Sequence, residues 1–372
     1  MNTELTNQGI TEFIESLKKE YDDVKNTTVN IAISGQSGAG KSSLINAIVG
    51  RKVADVGITE TTLDIKKYIS NGIHFSDLPG CGTEKFPVKT YIENCNLENF
   101  DAVIVVTANR FYENDIWLIK EMIRIGRPVY VVRTKMDLSI TDGLHDDNLN
   151  EYEVFEKVKN DIKSNIGNIQ IKGIYLTSSR EPQKMDLSKL LIDIEHNLTG
   201  IKKQRFIADV APLNERILLE KSIIAKKAVA YGASAAALNG INPIPGLDIG
   251  LDIAILMKMS KEIQSIYGLD EKSIDELSKR MGNSANFTAV RAKAGQYAAK
   301  FVAKEGIILL LKRLSVNIGS KGVLKYIPFV GQIAAAGIGY KMADSFGSDL
   351  IDESHEFANE ILIKSEREIV NK

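Results

Sequence analysis

Short apolar runs alternate with stretches of helical spacing along the first 200 residues, and after that only helical spacing continues. The runs VNIAIS from Val29, LDIKKYI from Leu63, IHFSD from Ile73, DAVIVV from Asp101, VYVVR from Val129 and KGIYLT from Lys172 are rich in Val, Ile and Tyr. Turn residues bound them, a pattern that predicts six strands. Helical spacing occupies Ser42–Val49, Asp115–Ile125 and Tyr152–Asn165 between them. Strands alternating with helices predict an α/β domain built on a mostly parallel sheet. One connection is too short for a crossover. Ser70-Asn71-Gly72 joins LDIKKYI to IHFSD, and its Asn-Gly step predicts an antiparallel hairpin.

Upstream, Ile10, Phe13, Ile14, Leu17, Tyr21 and Val24 follow the spacing of one apolar helix face, which Asn26-Thr27-Thr28 ends. Downstream, NERILLEKSIIAKKAVAYGASAAAL and LDIGLDIAILMKMSKEIQSIYG open an all-helical half. The first helix has no partner inside the α/β domain and is expected to pack with that half. The organisation predicted is therefore residues 1–26 helical, 27–200 α/β and 201–372 helical. The least polar stretches begin at Ala228 and Tyr326. The first is interrupted by Pro and Gly, and the second falls short of the ~20 apolar residues a membrane span needs. Both predict buried helical hairpins.

Composition narrows this only a little. A 372-residue chain with 44% hydrophobic residues can bury a sizeable core, and a net charge of −1 argues against a nucleic-acid-binding surface. Two cysteines, Cys81 and Cys95, point to a reducing compartment rather than a disulfide scaffold. The N-terminal MNTELTNQ predicts neither a signal peptide nor N-myristoylation.

The chemistry sits at strand ends. Gly35-Gln-Ser-Gly-Ala-Gly-Lys41-Ser42 fits G-x-x-x-x-G-K-[ST] between a predicted strand and a predicted helix. Such a P-loop curls backbone N–H groups around phosphate oxygens, and the helix that follows adds its positive end. The residues expected to cradle phosphate are Gly35, Ser37, Gly38, Ala39, Gly40, Lys41, Ser42 and Ser43. Lys41 should reach the β- and γ-phosphates, and Ser42 should bind Mg²⁺. Thr134-Lys135-Met136-Asp137 then fits N/T-K-x-D at the end of VYVVR. The Asp137 carboxylate can accept from guanine N1–H and the 2-amino group, whereas adenine has no matching donors. Lys135 can lay its stem along the ring. Thr177-Ser178-Ser179-Arg180 ends another strand, where the N–H groups of Ser178 and Ser179 can meet the guanine oxygen. The expected fold class is accordingly a Ras-like P-loop GTPase domain, with GTP and GDP as substrate and product, plus an all-α domain.

SDLPGCG supplies the remaining pieces. Asp77 should hold the metal through water, and the Gly80 N–H should contact the γ-phosphate. The first switch needs a Thr on the metal; Thr59, Thr61 and Thr62 are available, with Thr62 favoured. After the Asp-x-x-Gly glycine, Ras-type GTPases carry a water-orienting glutamine. Cys81 stands here and cannot replace an amide, so a lone molecule is expected to be slow.

These residues resemble the immunity-related GTPase family, related to the dynamin-like GTPases, over nearly the whole chain. DLPGCGTEKFPVKTYIE carries the resemblance, as does RFYENDIWLIKEM leading into VVRTKMD. So do INPIPGLDIGLDIAIL, YGLDEKS and IPFVGQIAAAGIGY in the helical half. Lys41 matches the members that keep the usual P-loop lysine. The resemblance implies a cytoplasmic GTPase that self-associates with GTP, hydrolyses it cooperatively and acts peripherally at intracellular membranes in host defence. Together with Cys81 it implies that a second copy docks across the nucleotide face. Glu60, which matches a switch glutamate of the family pattern, is then the candidate catalytic group beside Lys41 and Thr62. The competing expectation is a GTP-dependent switch or scaffold that recruits protein partners without self-activation or membrane action.

Overall fold

The computed structural model describes residues 7–54, 65–79, 86–109, 111–241, 248–281, 284–317 and 330–370. The chain divides into two compact units, one containing Thr27–Asn214 and the other α1 (Asn7–Asn26) with nearly all of the chain after Glu215.

The first unit alternates strands and helices in this order: β1 (Val29–Ser34), α2 (Lys41–Val49), β2 (Lys66–Ser70), β3 (Ile73–Asp77), α3 (Tyr91–Asn94), β4 (Ala102–Thr107), α4 (Glu113–Arg124), β5 (Val129–Arg133), α5 (Met136–Asp146), α6 (Glu151–Ile166), β6 (Gly173–Leu176), α7 (Leu187–Asn197) and α8 (Gly200–Asp209). Its sheet has the order β2-β3-β1-β4-β5-β6 and is parallel except for the β2–β3 pair. The six strands fall on the six apolar runs. Every residue of β4 and β5 is buried, as is all of β1 except half-buried Asn30, because helices cover both faces of a parallel sheet. The edge strand β2 reads KKYIS and keeps both lysines exposed, a charge pattern that blunts further strand addition. Asn71 adopts φ 51° in the hairpin turn, as an Asn-Gly turn requires.

Besides the single-turn α3, two longer helices before Gly200 go beyond the expected set. α5 carries Asp, Thr and Gly and has a weak periodicity, yet it buries Met136 and Ile140. α7 buries Leu187, Leu190, Leu191 and Ile194, a complete i, i+3, i+4, i+7 stripe that was available to read.

This unit continues past the change of pattern at Gly200, and the reason is a buried ion pair. On α8 the Asp209 carboxylate accepts from Arg205 Nε at 2.8 Å and Nη2 at 3.0 Å. It also accepts from the Gly72 N–H at 2.8 Å and Asn71 Nδ2 at 3.3 Å, both in the hairpin turn. Two residues on, the Ala211 N–H donates to Ile48 O at the end of α2, 2.8 Å away. Earlier on α2, buried Asn46 accepts from the Val53 and Ala54 N–H groups and donates to Ala54 O, all within 2.9 Å.

The second unit is helical: α9 (Glu215–Ile241), α10 (Asp248–Ile266), α11 (Glu271–Met281), α12 (Ala285–Phe301), α13 (Lys304–Asn317) and α14 (Val330–Val370) follow α1. α1 packs on α9 through a Tyr21–Tyr231 stack, with ring centroids 5.1 Å apart. Tyr21 and Val24 are buried, but Phe13 is 59% exposed, so the expected apolar face is not buried along its whole length. Tyr297 lies 5.5 Å from Phe301 and 6.0 Å from Phe357, and Phe346 continues the aromatic core of α12 and α14. Fully buried Lys221 of α9 donates to the carbonyl of Ile266, the last residue of α10, at 2.6 Å. That ammonium meets one of the carbonyls a helix end leaves unpaired. Among the described residues no helix is long and apolar enough to cross a membrane.

Asp209→Ala removes the carboxylate that Arg205 is buried against, so it should cost about 3–5 kcal/mol. Chemical denaturation of the full chain, followed by circular dichroism, should show an earlier first transition.

Candidate functional site

The phosphate loop spans the step from β1 to α2. Gly35 has φ 146°, and a Cβ there would sit 2.1 Å from Val106 O, so β4 passes too close for any side chain. Gly40 has φ 88° and caps α2 in the left-handed region. Ser37 and Gly38 are exposed at the loop tip and Ala39 is buried beneath it. Lys41 Nζ curls back to donate to Gly35 O at 2.8 Å and Gln36 O at 3.2 Å. It also stands 3.6 Å from Asp77 Oδ1, at the end of β3. Ser42 and Ser43 occupy the first turn of α2.

Thr134 straps this loop to the end of β5. It is buried, and its hydroxyl donates to Ala39 O at 2.5 Å, with Thr107 O farther away at 3.3 Å. Exposed Lys135 adopts φ 57° and turns the chain into α5, which places Asp137 in the first turn of that helix. The turn after β6 is locked to the same place. Met136 N–H donates to Thr177 O at 3.2 Å, and Thr177 N–H to Arg133 O at 2.7 Å. Buried Ser178 accepts from the Arg180 and Glu181 N–H groups at 3.1 and 3.3 Å, which tightens the turn around its own hydroxyl.

These pieces enclose one cleft of about 240 Å³. Gly40, Ser43, Thr134, Lys135, Asp137, Ser178 and Ser179 all line it, so residues named from three separate stretches of sequence meet there. Thr177 and Arg180 of the same strand-end turn line it too, and Leu44, Ala47, Leu138 and Leu187 complete the walls. The sequence reading did not select these apolar residues, although Leu44 and Ala47 lie three and six positions after Lys41 on the helix it did predict. Arg180 Nη1 reaches Asp137 Oδ2 at 3.5 Å, an open contact because the Arg180 side chain is 76% exposed.

A family model covering most of the chain decides the family. The family model described as interferon-inducible GTPase (IIGP) matches residues 1–328. The chain belongs to the interferon-inducible GTPase family. Interferon-inducible GTPase 1 of Mus musculus is 30% identical over 295 residues, covering 75% of this chain and 68% of that protein. Interferon-inducible GTPase 5 of Rattus norvegicus is 24% identical over 379 residues, covering 98% and 81%. A solved structure of an oligomerised bacterial dynamin pair is 13% identical and covers 98% of this chain and 76% of that one, with a TM-score of 0.37.

Within this family member, Asp77 is the residue whose environment suits a cation. Burial pushes its carboxyl above the usual carboxylate range, while the positive charges of Lys41 and Lys66 pull the other way. Its Oδ1 atom is buried with no hydrogen-bond partner. A buried carboxylate oxygen that faces the Lys41 ammonium at 3.6 Å without a hydrogen bond, beside the first turn of α2 where Ser42 stands, fits an oxygen-ligated ion such as Mg²⁺. Thr59, Glu60, Thr61, Thr62, Gly80 and Cys81 lie outside the described residues.

Cys95 packs in the core of the same unit. Burial pushes its thiol up to about 11, with a hydrogen bond from Tyr91 pulling slightly back. Only the thiolate is nucleophilic, so at pH 8 alkylation of native Cys95 should be about a hundredfold or more slower than in the denatured chain. Mass spectrometry of iodoacetamide-treated protein checks this.

Proposed function

We propose that the cleft binds GTP, that the chain hydrolyses it to GDP and phosphate, and that turnover is slow until a second copy docks across the nucleotide face. The observation that carries the base assignment is the meeting of Gly40, Asp137 and the Ser178-Ser179 turn in one cleft. Family membership supports the GTPase activity. Asp137 accepts from guanine N1–H and the 2-amino group, and the Ser178 and Ser179 N–H groups donate to the guanine oxygen. Arg180 holds Asp137 until the base arrives. Being exposed, that ion pair contributes at most about 1 kcal/mol and yields easily.

Backbone N–H groups of Gly35, Ser37, Gly38, Ala39, Gly40, Ser42 and Ser43 face the phosphates. Lys41 exchanges the Gly35 and Gln36 carbonyls for phosphate oxygens. Ser42, Asp77 and Thr62 hold Mg²⁺, which when bound offsets negative charge on the β- and γ-phosphates. Gly80 donates its N–H to the γ-phosphate, and Glu60 orients the attacking water in the paired state. Peripheral action at an intracellular membrane, from the cytoplasm and in host defence, belongs to the same proposal.

Asp137→Asn replaces an acceptor with a donor. Guanine should then bind at least about a hundredfold more weakly, and xanthine, with a carbonyl at C2, should bind better. Calorimetry with GDP, XDP and ADP reads this directly, and stronger binding of ADP than GDP by the unmodified chain would remove the base assignment. For the second part, GTP turnover per molecule should rise about tenfold or more between sub-micromolar and tens of micromolar protein, within the ~10³–10⁵ that help in trans can supply. Turnover that is flat with concentration and indifferent to anionic vesicles would favour the partner-recruiting switch.

A further inference from the structure

Arg133 is the last residue of β5 and is 8% exposed. Its side chain runs to the start of α5, where Nη2 donates to Ser139 Oγ at 3.2 Å. Its Nε and Nη1 atoms are buried with no hydrogen-bond partner among the described residues. Burial pulls the guanidinium below the ordinary arginine range, and the Asp161 carboxylate on α6 pulls only partly back. Arginine keeps its charge inside proteins. A lasting cation with two idle donors is therefore left facing a neutral hydroxyl, and a buried charge of this kind calls for an anion.

The hydroxyl it faces stands where an anion is favoured for a second reason. Ser139 is the fourth of the 11 residues of α5. Negative charge in the first turn of a helix meets the positive end of the helix dipole. A phosphoryl group on a serine brings roughly two negative charges and three acceptor oxygens. The guanidinium is a rigid planar fork, so its idle N–H groups lie beside the one already directed at Ser139. Ser139 is half-buried, and Leu138, Thr141 and Asp142 around it are exposed. Asp142 also gives Ser139 the Ser-x-x-Asp spacing that acidophilic protein kinases accept.

We propose that Ser139 is a phosphorylation site and that Arg133 receives its phosphate. A protein kinase transfers the γ-phosphoryl group of ATP to Ser139 Oγ. A bond forms between Oγ and phosphorus, the bond from that phosphorus to the β,γ-bridging oxygen breaks, ADP leaves and the hydroxyl proton passes to solvent. The new oxygens pair with the idle Nε and Nη1 donors. The clamp ties the first turn of α5, which also carries Asp137, to the end of β5. The inference does not depend on what the cleft binds.

An acidophilic serine kinase with Mg²⁺ and ATP should place a phosphate on Ser139 of the full chain, read by mass spectrometry, and Ser139→Ala should remove that site. Phosphorus-31 NMR then follows the second ionisation of the phosphate. In the folded chain its pKa should fall from the ~6 of a free phosphoserine to about 5, because Arg133 favours the dianion. Asp137 and Asp142 on α5 and Asp161 on α6 act the other way. Arg133→Met leaves those carboxylates without the guanidinium, so the value should return to about 6 or above. Phosphorylation should also raise the thermal midpoint by about 2–4 °C, and not in Arg133→Met. If Arg133→Met fails to fold, the phosphorylated chain denatured in urea supplies the reference value. The inference is overturned if no phosphate enters Ser139, if the folded and denatured chains titrate alike, or if Arg133→Met titrates like the unsubstituted chain. It is equally overturned if inorganic phosphate raises the midpoint of the unmodified chain as much and Arg133→Met abolishes that rise, since Arg133 would then serve a free anion.

Discussion

The hydrogen bond from the Thr134 hydroxyl to Ala39 O joins two turns that lie 95 positions apart in the chain. One turn wraps the ends of β1 and α2; the other opens α5. A nucleotide has a fixed length from base to phosphate, so a cleft that grips both ends needs its two gripping turns at a fixed separation. A polypeptide loop rich in glycine cannot set that separation alone. The strap does so, and the close passage of β4 under Gly35 leaves the loop no room to sink. The Met136 and Thr177 backbone bonds then bring the turn after β6 into the same frame.

The opposite ends of these elements are fastened as firmly as the ends at the cleft. α2 begins at Lys41 and ends where Ile48 accepts from Ala211. β3 ends at Asp77 and begins beside Gly72, which donates to Asp209. The two elements that carry Lys41 and Asp77 are thus anchored at their far ends to one short stretch of chain, Asp209–Ala211. Asn46 adds a third fastening by gripping Val53 and Ala54, where the chain leaves α2 for the stretch holding the candidate switch threonines. A cleft held on both sides keeps its geometry without help from a ligand, which is what preorganised binding requires.

Much of this was legible in the sequence because it is encoded locally. The central strands are buried on both faces and so read as unbroken apolar runs. The hairpin is signalled by Asn71-Gly72, and the phosphate loop by glycines whose backbone angles no other residue adopts easily. Thr134 and Asp137 were found because N/T-K-x-D is contiguous. The hydroxyl of Thr134, however, serves the phosphate loop, a role that no spacing rule reveals. What stayed hidden depends on partners distant in sequence. Asp209 and Gly72 are 137 positions apart, and nothing near either one announces the other. Tyr91 and Asn46 look like ordinary core residues until their polar atoms are traced to backbone groups. Phe13 shows the reverse case: periodicity marks which side of a helix is apolar but not how much of that side meets a neighbour.

The Arg205–Asp209 clasp also decides where the chain can be divided. A recombinant fragment ending at Gly200 would lack α8. The Gly72 N–H and the Ile48 carbonyl would lose their acceptor and donor, and Arg205 would be gone from its seat against the hairpin. The stretch that keeps all of these contacts runs instead to Asn214, whose side chain donates to Ser188 Oγ at the start of α7.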